Sequence, residues 1–565
     1  MTSKTCPLSV FLLFLGCACA SAQSISTELR TRQLEEKERA LRQEVQKEAA
    51  PVEIKQELPA PPAPQESQEK TLINTINVTG VTLLPEAAIE AITAGFKGRT
   101  LSLKDLQTCA DLITDAYRKK GYITSRAYLP PQRIAEAAVE IRVVEGLMGD
   151  LTVTGNRYFS TALFERRFSL KKGDGFDYDT LRADLSRINQ YPDREARAVL
   201  VPGKEPGTTD VTLEVTDRLP VHATLDWDNF GSRFIGKDRY EAAVSHNNLL
   251  GRDDSLTFQY QIAEADAYRL TSVRYLLPVT DTTEIGLFSA WSKLELGKQF
   301  RAVQARGKSR FYSIYATQDV LNTQRVNLNL RLGFDYKDYF NFSGGNETSR
   351  DRMRVVRTSY NLDVSDGTGR TILDQELDVG LAGVMGGLEE VDAHASRAGA
   401  GGKFVKTSIS LLRLQAMPFS STLLWKSQFQ ISPYILTAAE QFQLGGIANL
   451  RGYPPAELVG DDGTAMTFEW SFPVYGLSKT AKVPFTDTRW YDAIRVVAFY
   501  DWGYVRLHRP QAGEEAKETL RDAGCGMRFS LPGNLSVRVD VAWPLDRTPT
   551  DGDNVHPWFQ VTKEF

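Results

Sequence analysis

The stretch LGGIANLRGYPP (444–455) places one guanidinium, Arg451, among apolar residues, glycines and prolines. Glycine and proline at this density mark a loop, yet a solvated loop scatters several charges. A lone arginine suits another task, because its planar fork of donors can close on a carboxylate through two parallel hydrogen bonds. The next two strand-like segments supply carboxylates. In MTFEWSFPV (466–474), Glu469 alternates with Phe468, Trp470 and Phe472. In AIRVVAFYDWGYV (493–505), Asp501 alternates with Tyr500 and Trp502. A period of two puts the acids on one face and the aromatics on the other. The chemistry would be an ion pair that fixes loop geometry more than it adds stability, since burying both charges is costly. Spacing alone leaves a second reading open: an arginine exposed to water or lipopolysaccharide.

Nothing else in the chain resembles a reacting set. The five histidines (His222, His246, His394, His508, His556) are scattered over strands and loops, with His222 reading as a polar residue of a wet interior. No G-x-S-x-G precedes a helix, and neither H-E-x-x-H nor G-x-x-x-x-G-K-[ST] occurs. The chain is expected to be no enzyme and to need no metal or cofactor. A net charge of −4 gives no basic field, so no nucleic-acid partner is expected.

The elements that must position these residues begin with an export signal. Residues 1–22 combine Lys4, an apolar run over 8–15 and the small-residue ending Ala20, Ser21, Ala22, which predicts cleavage before Gln23; a lipoprotein cut at Cys17 or Cys19 is the alternative. Cys109 and Cys525 remain as two isolated thiols, too few for a disulfide framework. Residues 23–50 have helix-forming composition with Glu35–Arg39 and Glu38–Arg42 pairs and few apolar positions. Such a helix must sit in water, in bulk or in a wet cavity. A disordered tail is the other reading. Residues 51–71 form a proline-rich, semi-rigid linker.

Residues 72–146 and 147–218 repeat one β-α-α-β-β pattern, each opening on V-T-G (78–80 and 153–155). In the first, Ser102 and Asp105 form a capping box before a helix that places Leu103, Leu106, Ala110 and Ile113 on one face. Small sheets of this kind leave an edge strand able to take up an extended peptide. From 219 to 565 the helical period gives way to alternation, as in VNLNLRLGFDY (326–336) and LSVRVDVAW (535–543). Mean hydropathy is −0.30, and past the signal no run reaches the ~18 apolar residues of a spanning helix, which leaves a β-barrel open. About 16 alternating segments fit an outer-membrane barrel. Connections after even-numbered strands read as short turns (LLGRDD, SDGTGR, AMPFSS, LPGN). Those after odd-numbered strands read as longer polar loops (KLELGKQFRAVQARGK, KDYFNFSGGNETSRD, GGLEEVDAHASRAGAGG, HRPQAGEEAKE). Arg451 then lies in the loop after strand 11, on the outer side, with Asp501 on strand 13.

Leu450-Arg451-Gly452-Tyr453 resembles the [V/L]-R-G-[F/Y] tip of the sixth extracellular loop in the POTRA-and-barrel superfamily, with leucine where valine is commoner. Phe499, Asp501 and Gly503 resemble that superfamily's F-x-D-x-G, whose aspartate meets the loop arginine. YRKKGYITSRAYLPPQ (117–132) resembles the first-POTRA signature of the two-partner secretion transporters, the TpsB or haemolysin secretion-activation branch. The resemblance implies a signal peptide (1–22), a plug helix (23–50), a linker (51–71), two POTRA domains (72–146, 147–218) and a 16-stranded transmembrane barrel (219–565). It implies type V export, without ATP, of a large unfolded exoprotein of haemolysin or adhesin type. The exoprotein would be bound by POTRA domains in the periplasm of a Gram-negative cell. Outer-membrane lipid and the barrel-assembly machinery, engaged through the C-terminal Phe565, are the other expected partners. An assembly insertase of the same superfamily is the alternative; it would usually carry three to five POTRA units and lack the helix and linker.

Overall fold

The computed structural model describes residues 37–38, 55–56, 70–134, 136–263, 267–297, 304–323, 325–484, 486–511, 513–531 and 534–565. The expected signal peptide, most of the expected plug helix and most of the linker lie outside the described residues. Two compact units emerge: one ends at Pro220, and the other runs from Val221 to Phe565 apart from Leu250–Arg252 and includes Lys37 and Glu38.

The N-terminal unit holds two small cores. Strands β1 (Lys55–Gln56), β2 (Lys70–Ile73), β3 (Thr75–Thr79), β4 (Arg99–Ser102), β5 (Arg126–Tyr128), β6 (Ala138–Val144), β7 (Leu147–Thr154), β8 (Arg194–Pro202) and β9 (Thr208–Asp217) form its sheets. The first domain has the sheet β3-β6-β5 and the pair β2-β4; the second has β8-β9-β7, with β1 added in parallel to the β8 edge. Helices α1 (Glu86–Thr93) and α2 (Leu103–Lys119) cover the first sheet, α3 (Thr161–Arg167) and α4 (Tyr178–Asn189) the second. The Ser102–Asp105 capping box is formed. The buried face of α2 is Leu106, Cys109, Ala110, Ile113 and Tyr117, whereas Leu103 is exposed. Leu103 shares that stripe by spacing, but it is the first helical residue and stays uncovered. Burial among these side chains pushes the Cys109 thiol up to about 11, so it stays protonated.

The repeat is exact in backbone detail. Gly80 and Gly155 have φ of +84° and +83°, and a Cβ on either would lie 2.3 Å from the carbonyl oxygen of Val143 or Val215. Two residues further along the closing strand, a carboxylate ties down the following loop. Glu145 accepts the Thr82 and Leu83 amides at 2.7 Å, and Asp217 accepts the Tyr158 and Phe159 amides at 2.8 and 3.0 Å.

The second unit is a closed barrel of sixteen antiparallel strands: β10 (Val221–Asp228), β11 (Arg239–His246), β12 (Ser255–Ala263), β13 (Tyr268–Pro278), β14 (Thr283–Glu295), β15 (Arg306–Asn322), β16 (Val326–Ser343), β17 (Asn346–Asp366), β18 (Gly369–Gly380), β19 (Phe404–Met417), β20 (Ser421–Ile431), β23 (Asp462–Pro473), β24 (Ile494–Arg506), β25 (Lys517–Leu531), β26 (Leu535–Pro544) and β27 (His556–Glu564). The short pair β21 (Phe442–Leu444) and β22 (Leu458–Gly460) belongs to the loop between β20 and β23. β10 closes on β27. Trp227, Tyr240, Trp291, Trp425, Phe468, Trp470, Tyr500 and Trp543 face outward, several as cross-strand pairs such as Trp425 with Phe468. An outward aromatic and aliphatic surface on a closed barrel is a lipid-facing one.

Two expectations about connections fail. Residues 337–351, read as a polar loop, continue β16 and β17 to a turn at Gly344 and Gly345, whose φ values are +58° and +85°. Their polarity is partly that of inward side chains, Lys337, Asn341 and Asp351, while Asp338 lies buried on the other face and takes a hydrogen bond from Arg354 at 3.0 Å. The connection from β23 to β24, on the short-turn end, is long and contains α5 (Trp490–Ala493). Cys109 and Cys525 are both free.

Tyr117 ties α2 to the loop-capping carboxylate by donating to Glu145 Oε1 at 2.6 Å. Burial works to raise the Glu145 pKa, but bonds from Thr82, Tyr117 and Leu83 outweigh it and hold the carboxyl below its usual value. A depressed folded-state pKa stabilises above the unfolded value of ~4.3, and the gain is lost as pH falls through the folded value. Tyr117→Phe is therefore expected to destabilise the first domain by about 1–2 kcal/mol at neutral pH, the gap closing below pH ~4. Native-state hydrogen exchange of residues 70–145 at several pH values checks this; a gap independent of pH contradicts it.

Candidate functional site

The loop between β20 and β23 folds back into the barrel instead of extending away from it. Its stem is the β21–β22 pair, and its tip is braced from within: Gly446 N donates to Tyr453 O at 2.9 Å, and Asn449 links Gly445 N (3.0 Å) to Gln443 O (2.9 Å). Gly445 has φ +111°, and a Cβ there would meet Pro454 O at 2.2 Å, so the glycines are required by the turn. Phe442, Leu444, Leu450, Tyr453 and Leu458 pack on Ala465, Val505 and Leu520 of the wall.

Arg451 is 2 % exposed and Asp501 is fully buried. Arg451 Nε donates to Asp501 Oδ2 at 2.8 Å and Nη2 to Oδ1 at 3.0 Å, the bidentate geometry; Nη1 donates to Glu469 Oε2 at 2.7 Å. The guanidinium lies 3.3 Å over the ring of Phe499. Trp558 Nε1 donates to Arg451 O at 2.7 Å, and Lys426 Nζ to Ala448 O at 2.6 Å. The structure thus brings together all eight residues singled out in the two motifs and on β23. Leu450 and Tyr453 pack, while Phe499 stacks. Glycine at 503 leaves room for Leu444 and Leu450, which a Cβ would meet at 2.6 and 2.7 Å. Gly452 passes close to β25, where a Cβ would lie 2.4 Å from Asp522 Cβ.

Three members of the cluster were not legible from the motifs. Arg528 Nη2 donates to Glu469 Oε2 at 3.0 Å and Nη1 to Asp540 Oδ1 at 2.6 Å; Arg538 Nε donates to Asp540 Oδ2 at 2.8 Å. Three guanidiniums thus meet the three carboxylates of Glu469, Asp501 and Asp540. The signal was present, because Arg538 and Asp540 alternate with outward valines, but their link to the loop needs the barrel's curvature. A second buried arginine, Arg397 in the β18–β19 loop, grips Asp461 at 2.6 and 2.7 Å just before β23.

Of the expected plug helix, Lys37 and Glu38 are described and are helical. Lys37 Nζ donates to Asp374 Oδ1 at 2.6 Å on β18, on the strand face that also carries inward Asp378. Glu38 interacts electrostatically with Lys426 and Arg538.

A sixteen-stranded lipid-facing barrel with an inward loop, preceded by small α/β repeats, is the architecture of an outer-membrane transporter with periplasmic POTRA domains. The model for haemolysin secretion/activation protein ShlB/FhaC/HecB matches residues 207–529, more than half the chain, and the model for the ShlB-type POTRA domain matches residues 71–146. The chain belongs to the ShlB/FhaC/HecB haemolysin secretion/activation family, whose members are outer-membrane transporters and not enzymes. It is 23 % identical to the heme/hemopexin transporter protein HuxB of Haemophilus influenzae, over 84 % of this chain and 83 % of that one. It is 23 % identical to the outer membrane transporter CdiB of Dickeya dadantii, over 82 % and 81 %. The structure of CdiB from Escherichia coli superposes with a TM-score of 0.70 at 20 % identity, covering 96 % of this chain and 98 % of that one. BamA from Haemophilus ducreyi lacking POTRA domains 1–3 superposes with a TM-score of 0.54 at 14 % identity, over 88 % and 100 %, a likeness of fold.

Gly452→Ala has no room against β25 and is expected to lift the loop tip from its seat. Proteinase K added outside intact cells should then cut between 440 and 463 at least several-fold faster than in the parent. Equal resistance would mean that the tip is not held by this close approach.

Proposed function

We propose that this chain is the pore through which one large unfolded exoprotein passes from the periplasm to the cell surface, and that Arg451 latches the loop that narrows that pore. Family membership supports the transport class, and relatives named for heme/hemopexin and hemolysin transport point to exoproteins as the cargo class. The observation that carries the latch reading is the bidentate Arg451–Asp501 pair inside the barrel.

The small sheets receive the cargo. An incoming extended segment gains backbone hydrogen bonds by adding to a sheet edge, with side-chain pockets giving selectivity. The β8 edge demonstrates the geometry, since Lys55–Gln56 of this chain already lie along it as a parallel strand. Cargo binding at that edge would displace the linker and pull on the helix that contains Lys37. The Lys37–Asp374 contact supports a resting position of that helix within the lumen. Withdrawal of helix and loop is then a two-state change biased by the cargo. Without a nucleotide site in the sequence, the driving force comes from cargo folding outside. The insertase alternative leaves the Lys37–Asp374 contact and the β1 addition without a task.

In host cells, Arg451→Ala or Asp501→Ala is expected to cut release of the exoprotein at least about ten-fold while the barrel still runs as a folded, heat-modifiable species, because the loop and the charge left unpaired no longer take one defined place along the export path. Undiminished release from a folded barrel would remove the latch from the mechanism.

A further inference from the structure

The loop that carries Arg451 is fastened to the wall at a second place, where it enters the barrel. In the 3-10 turn Ala438–Glu440, Glu440 Oε1 accepts Lys337 Nζ at 2.9 Å and Oε2 accepts Lys406 Nζ at 2.5 Å. The three side chains are 1–4 % exposed. The turn is fixed further by Gln430 Nε2, which donates to Glu440 O at 3.0 Å, and by Ala438 N, which donates to Ser396 Oγ at 3.0 Å.

This contact inverts the charge arrangement at Arg451. The tip sends a cation to carboxylates on β23, β24 and β26, while the entry turn sends an anion to ammonium groups on β16 and β19. Each patch repels the charge that the other accepts, so the pair of contacts admits one docked orientation of the loop. The wall does not need Glu440 for its own balance. Lys337 lies 3.8 Å from Asp335 and Lys406 lies 3.4 Å from Asp378; Arg357 joins those two acids at 2.8 and 3.0 Å and also meets Glu376 at 3.3 Å, so three wall cations face three wall carboxylates. Neutralising Glu440 therefore leaves both lysines with carboxylates, whereas Glu440 without the lysines would be a buried, unpaired charge. The benefit of the contact falls on the loop.

We propose that Glu440, held by Lys337 and Lys406, is a second latch, independent of Arg451, and that the loop leaves its seat only when both are released. The purpose of the latch rests on the export reading; its geometry does not.

Labelling of the loop tip tests this in the full-length protein in intact cells. Ala448→Cys is introduced together with Cys525→Ser, and a membrane-impermeant polyethylene-glycol maleimide is added outside. Glu440→Gln keeps the side-chain shape and removes the charge. Arg451→Ala and Glu440→Gln alone should each raise the labelling rate about three-fold or more, and the double variant should raise it by about the product of the two, about ten-fold or more, as contacts that act independently do. Either single variant labelling as fast as the double, or a double variant no faster than the parent, overturns the proposal. Heat-modifiability on gels reports that each barrel is folded. If Glu440→Gln does not assemble, Lys337→Gln removes one of the two ammonium groups on the carboxylate and should raise the labelling rate of Arg451→Ala further, by less than Glu440→Gln would; no further rise overturns the proposal. No exoprotein enters the assay, so a failure of the export reading leaves this outcome standing.

Discussion

A guanidinium buried inside a barrel has to be paired, and the pairing of Arg451 is the constraint on which the rest depends. Desolvating a cation costs several kcal/mol unless carboxylates and hydrogen bonds replace its water. Here the carboxylates come from three neighbouring strands, Glu469 on β23, Asp501 on β24 and Asp540 on β26, and Arg528 on β25 and Arg538 on β26 balance the charge that Arg451 leaves over. Side chains alternate along each strand, so a slip of one residue in any of them would turn its charge towards lipid and leave the others unbalanced. The outward aromatics at Phe468, Trp470, Tyr500 and Trp543 enforce the same register from the other face. Lipid preference outside and charge balance inside thus select one arrangement of the last third of the barrel.

Holding a loop by ion pairs, and not by a large apolar contact, suits the movement that the proposed export requires. When an apolar face leaves its seat, the area it covered is exposed to water at about 25 cal/mol per Å². Charged groups that separate into a wet lumen regain hydration, which offsets much of the lost attraction. The loop does have an apolar face, around Leu444, Leu450 and Tyr453, but it is small and close to the tip. The result is a closed state that is geometrically definite without being deep. The two small domains have the opposite character, with continuous apolar cores and loops tied by Glu145 and Asp217, as befits parts that bind and remain folded.

Sequence patterns carried far in some places and stopped in others, for physical reasons. Alternation with outward aromatics located the barrel strands and aimed Glu469 and Asp501 inward, since a period of two is local information. The equivalence of Gly80 and Gly155 was visible as a repeated V-T-G; the carboxylates that cap the following loops were not, because Glu145 and Asp217 come from strands far along the chain. Residues 337–351 were misread because polarity was taken for solvent exposure. In a wet barrel, polar residues line the interior as well, and Lys337 and Asp351 are among the most buried side chains described. Glu440 and the Arg397–Asp461 pair were missed since each joins segments from separate loops and strands, and no spacing along the chain encodes that.

Comparing the proteins at the surface and in the medium of host cells with and without this chain is the most direct measurement of what it carries. Loss of one large exported protein, with the other outer-membrane barrels unchanged in amount, is the result expected for a dedicated exporter. Depletion of many unrelated barrels from the outer membrane would contradict it and identify an assembly role instead.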